Sequence, residues 1–202
     1  MAVKRQIGLR DFHVAPLTSD TTSGTEYGDI VKIPGIISAN ISIERGTETY
    51  SSDDTTEEII SSLSSITVEV EVSNLSASER KLLLGQKVNK GVVAANVDDN
   101  AGEVAIMFRS QKTNGHYRYI CLPKGKFSEP AESYATKTDS TTAQTLTMTF
   151  TGMHLVSNGN YKISVDSDES GVDSSFISSF FTEVKTDVQS ESLLALEAKT
   201  QK

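Results

Sequence analysis

Three histidines, one cysteine and a short acidic run are the side chains of this 202-residue chain that could combine into a reactive centre. His13, His116 and His154 are far apart, and none has a partner four residues away, so the helical zinc pattern is excluded. Cys121 and His116 could be imagined as a nucleophile and its base. Their numbers differ by five, however, which sends the two side chains to opposite faces of a regular strand. A single cysteine also rules out an intrachain disulfide and a cysteine-rich zinc site. Asp166-Ser-Asp168-Glu-Ser170-Gly171 matches the opening half of a calcium loop. The position that should supply a bidentate glutamate is Ile177, and no helix pair flanks the run, so an acidic turn is the better reading. No phosphate-binding loop, nucleophile elbow or dinucleotide fingerprint is present. The expectation is no catalytic residue, no cofactor and no metal.

Charge is the second source of chemistry. The chain is acidic, with a formal net charge of −8, yet Arg109, Lys112, Arg118, Lys124 and Lys126 gather between residues 103 and 127. Tyr117 and Tyr119 lie among them and could stack on bases. The overall negative charge argues against a general nucleic-acid surface. Pairing with an acidic patch on another copy is a better use for such cations. Asp53, Asp54, Glu57 and Glu58 offer that patch.

The elements that carry these residues read as strands. Val104, Ile106 and Phe108 alternate with Ala105, Met107 and Arg109, the pattern of a half-buried strand. Asn114-Gly115 supplies a hairpin turn, His116 to Leu122 the return strand, and Pro123-Lys124-Gly125 a second turn. Earlier, Ile37, Ala39, Ile41 and Ile43 share one face, and Ile66, Val68, Val70 and Val72 do the same with Glu69 and Glu71 opposite. Ser76 and Glu79 form a capping box for a helix that ends at Gly85. Further short strands are expected over 145–151 and 161–165, and a terminal helical turn or two over 192–199. The result is a mainly β protein, an antiparallel sandwich or barrel with one short flanking helix. Its expected organisation is an N-terminal arm over 1–29, a β-sandwich over 30–166, and a C-terminal arm or short helix over 167–202. Residues 45–65 are read as a long polar connection, either solvated or in contact with a partner.

Hydrophobic residues make up 37% of the chain and tryptophan is absent. Its first residues lack the continuous apolar core of a signal peptide, and no stretch is apolar enough to span a bilayer. The expectation is a soluble protein of a reducing cytoplasm.

The order of several segments resembles a known family. VKRQIGLRDFHVAPL is followed by GTEYGDIVKIPG, the strand ISANISIE, a Ser/Asp/Glu stretch, ERKLLLG, and then EVAIMFRSQKTNGHYRYICLPKGKFSEP. The order resembles the major tail protein, or tail tube protein, of phages with long non-contractile tails that infect Gram-positive hosts. That resemblance implies a structural virion protein whose hexameric rings stack into the tube through which the genome leaves. It implies partners: other copies, a tape measure protein, a tail terminator and a tail-tip initiator, with DNA passing through without sequence-specific binding. It also implies assembly in the host cytoplasm and residence in the virion tail. An acidic wall would suit such a channel, because negative side chains repel phosphates. The alternatives are another ring-forming tail or secretion-tube component, or a carbohydrate-binding module, for which the chain has few aromatic residues.

Overall fold

The computed structural model describes residues 4–52, 55–136 and 144–188; of residues 51, 52 and 55–58 it describes the backbone alone. Strands account for 52% and helices for 8%. The strands are β1 (Gln6–Thr21), β2 (Gly24–Tyr27), β3 (Val31–Lys32), β4 (Ile36–Ser52) and β5 (Thr55–Val72), then β6 (Lys87–Asn89) and β7 (Val92–Ala94). They continue with β8 (Val104–Lys112), β9 (Tyr117–Phe127), β10 (Leu146–Gly152) and β11 (Ile163–Asp166). The helices are α1 (Ala77–Leu84) and the short α2 (Ser174–Ser178). The main sheet runs β2-β1-β8-β9-β10-β5-β4, with β3 beside β1 and β11 beside β9, all antiparallel; β6 and β7 pair separately. The ladder does not close into a barrel among the described residues, and β4 is its open edge.

Alternation explains the packing. Val68, Val70 and Val72 of β5 are buried against Phe12 of β1, Ile106 of β8, Leu122 of β9 and Met148 of β10, with Leu83 and Leu84 of α1 at one side. Glu69 on the opposite face is exposed. A second, smaller core lies behind the same strands, where Met107, Tyr119, Cys121 and Ile163 meet Phe180 and Val184. The helix start is the capping box: Ser76 N donates to Glu79 Oε2 at 2.6 Å and Glu79 N to Ser76 Oγ at 3.4 Å. Gly85 ends the helix at φ 72°, and Gly115 closes the β8–β9 hairpin at φ 83°.

Four expectations need correction. The segment expected to be an N-terminal arm contains β1, a central strand with Phe12, Val14 and Ala15 buried. Its alternation is broken by a bulge between Arg10 and His13 where Asp11 takes φ 58°, so the pattern is not visible by period two. Residues 45–65 are not a structureless connection: β4 and β5 pair from Ile36↔Val72 out to Ser52↔Thr55. Pro123-Lys124-Gly125 does not turn the chain, because β9 runs through it with a bulge relative to β8 between Val104↔Gly125 and Ile106↔Leu122. There is room there only for glycine, since a Cβ at 125 would strike the Phe150 ring and the Thr151 carbonyl. Finally, the first part of the C-terminal arm is packed, with Phe180 fully buried; residues 192–199 lie outside the described residues.

Val70→Asp should place an unpaired charge in the main core and cost on the order of 4 kcal/mol. Thermal melting should show it as a drop of roughly 10 °C. Glu69→Lys should leave the melting curve nearly unchanged.

Candidate functional site

The five cations singled out from the sequence sit on β8 and β9. Four of them meet carboxylates of their own chain. Arg109 Nε donates to Asp11 Oδ2 at 2.7 Å, and its guanidinium lies 4.5 Å from the Tyr117 ring centroid. Lys112, only 4% exposed, reaches Asp166 at 2.7 Å and Asp168 at 2.6 Å. Arg118 grips both oxygens of Asp166 through Nε and Nη2, each at 2.6 Å. Lys124 Nζ donates to Asp20 Oδ2 at 2.9 Å, and Val156 N donates to the same carboxylate. Among the described residues Lys126 makes only a 3.5 Å contact, with Asn100 Oδ1. Tyr119 is buried against Phe180, so it is not a platform for bases.

The acidic turn after β11 is therefore the internal partner of the basic hairpin. The Lys112 ammonium stands between the carboxylates that resembled a calcium loop, and Lys4 and Asn114 also donate to Asp168. Burial works against the charge on Lys112, but both carboxylates outweigh it and raise its pKa. Hydrogen bonding from Arg118, then from Lys112, lowers Asp166 despite its partial burial. Lys112 and then Lys4 lower Asp168. Asp166 lies directly opposite Arg118 in the β9–β11 register, a juxtaposition that only the fold creates.

The reactive candidates are not brought together. Cys121 is fully buried, its Sγ donating to the Lys185 carbonyl at 3.3 Å, and burial pushes the thiol up to about 12. His116 lies in the hairpin turn, 3.4 Å from Ser167 Oγ, and His13 stacks on Phe181.

The acidic candidates belong to the far end of β4 and β5. Glu57 and Glu58 are in β5, Glu58 opposite Tyr50, while Asp53 and Asp54 lie outside the described residues. Residues 45–52 and 55–63 form a two-stranded ribbon in which Thr49 pairs Ile59 and Glu48 pairs Ile60. Because neighbouring strand residues point to opposite faces, Ile59 and Ile60 lie on different sides of it. They are 62% and 47% exposed, and Tyr50 is 51% exposed. Among the described residues, no layer covers either face there. A lone two-stranded ribbon is at best marginally stable in water.

The family model described as phage tail tube protein matches residues 4–189. The chain belongs to the phage tail tube protein family. Members are structural components of the phage tail, which places this tail tube subunit in the virion. The cryo-EM structure of the anti-feeding prophage cap, a tube-terminating cap, is similar at 12% identity and a TM-score of 0.45, covering 83% of this chain and 95% of that one. No curated protein gives a significant match. Among the described residues no helix is long and apolar enough to cross a membrane.

Removing the buried ammonium with Lys112→Met should leave Asp166 and Asp168 under-compensated. The cost should fall near the lower end of the roughly 3–5 kcal/mol seen when one partner of a buried ion pair is deleted. The two carboxylates have folded pKa values below their unfolded ones, so their contribution is complete above about pH 4 and fades as pH falls further. Melting curves of wild type and Lys112→Met should accordingly differ clearly at pH 7 and converge as pH is lowered toward 2.

Proposed function

We propose that this tail tube subunit forms hexameric rings that stack into the tube of a long non-contractile tail, in a phage of a Gram-positive host. The tube would enclose a tape measure protein, grow from a tail-tip initiator, end at a terminator and conduct the genome without binding it. Assembly would take place in the host cytoplasm, and the subunit would have no enzymatic role. The observation that carries the reading is the β4–β5 ribbon, whose apolar side chains are exposed on both faces and whose strands outrun the layer beneath them. Membership of the tail tube family supports a surface made to meet other copies.

Asp53, Asp54, Glu57 and Glu58 make the far end of this ribbon acidic in sequence. On the cationic side of the proposed contact, Arg118 and Lys126 are the more available groups. The Arg118 side chain remains 41% exposed, and Lys126 has no carboxylate partner among the described residues. Arg109, Lys112 and Lys124 brace their own chain first, so their replacement would act on the fold as well as on assembly.

The double substitution Ile59→Lys and Ile60→Lys tests the reading. Exposed substitutions of this kind change monomer stability by about 0.5 kcal/mol or less. Sedimentation and negative-stain imaging of the full chain should nevertheless show loss of tubes. Normal tubes from this variant would overturn the proposal that the ribbon is an assembly surface.

A further inference from the structure

The ribbon needs a receiving surface, and the fold contains one with matching chemistry. The first half of β1 and the first half of β4, with residues of β8, β9 and β11, line an open groove of about 570 Å³. Leu9 and Ile41, both partly buried, give it apolar walls above a floor of the buried core residues Phe108 and Ile120, and Lys162 and Arg118 give it cationic groups. Ile37, pushed out by a register shift between Ile36 and Ser38, adds a 48% exposed side chain to its lining. Lys162 has no carboxylate partner among the described residues, unlike most of the hairpin cations.

We infer that this groove receives the β4–β5 ribbon of a second copy of the chain. The inference rests on the ribbon being an assembly surface and adds where it goes. Exposed isoleucines and Tyr50 match the apolar walls, and Glu48, Glu57 and Glu58 match Lys162 and Arg118 in sign. The chain's own ribbon cannot serve. β4 lines the groove over Ile37–Ile41 and then continues past it, zipped to β5, so folding back would break the Thr47↔Ser61 to Thr49↔Ile59 ladder. At ~3.3 Å per residue, Arg45–Ser52 projects about 25 Å beyond the sheet, enough to enter a neighbour. Ribbon and groove are different surfaces, so their contact is head-to-tail: it closes a ring where the rotation between copies closes and propagates from ring to ring where it does not.

The test is a photo-crosslinker, p-benzoylphenylalanine, in place of Ile60 in the full chain, with half of the subunits isotope-labelled so that links between copies are recognised by mass. Links from position 60 to residues 6–9, 37–41 or 162–164 of another copy are expected. Links only to other regions of another copy would overturn the groove assignment while leaving the ribbon as an assembly surface. Tubes without any link between copies would overturn both. Should the probe itself block assembly, Lys162→Glu decides. It should abolish pelletable tubes with an unchanged melting curve, whereas Lys162→Arg should still assemble. Normal tubes from Lys162→Glu would refute the groove.

Discussion

The structure depends on one mismatch: β4 and β5 are paired over a far greater length than the rest of the sheet can cover. At the Val72 end, β5 is a core strand with valines facing Phe12, Ile106 and Met148. At the other end the same backbone ladder continues with isoleucines exposed on both sides. Backbone hydrogen bonds alone contribute little net stability against the entropy of ordering the strands, so in the proposed assembly the far half would be held by the copy it contacts. A protein that must stay monomeric would shorten such strands or charge their faces more heavily. Here the apolar residues remain, which supports the proposal that the ribbon is an assembly surface.

The remaining charges do a different job. Asp11, Asp20, Asp166 and Asp168 each hold cations from β8 or β9, tying β1 and the turn after β11 to the hairpin between them. These clamps are half-buried or better, so salt screens them less than surface pairs. They fix the sheet from which the ribbon projects, and they leave the chain's basic cluster largely neutralised. What the composition presents as a basic patch is mostly internal structure.

The strand holding Val68 and Val70, the Ser76–Glu79 box and the Asn114-Gly115 turn are written in local chemistry and appear as expected. β1 is hidden because Asp11 breaks its period, and Pro123-Lys124-Gly125 mimics a turn because a bulge admits both residues within a strand. The ribbon is hidden for a physical reason: with no layer against it among the described residues, it buries no alternating face, and its Ser, Thr and Glu read as loop. The groove was invisible because its walls come from β1, β4, β8, β9 and β11, which only the fold brings together. The Asp166–Lys112 pairing was likewise nonlocal, although both partners stood out in the sequence.

Hydrogen–deuterium exchange, comparing soluble chain with assembled tubes, tests the central claim most directly. In the soluble chain, amides of 45–52 and 55–63 should exchange much faster than those of 66–72 on the same strand pair. On assembly the ribbon amides should become protected while those of 66–72 change little. Equal protection of the ribbon in both states, or its continued rapid exchange within tubes, would contradict the account.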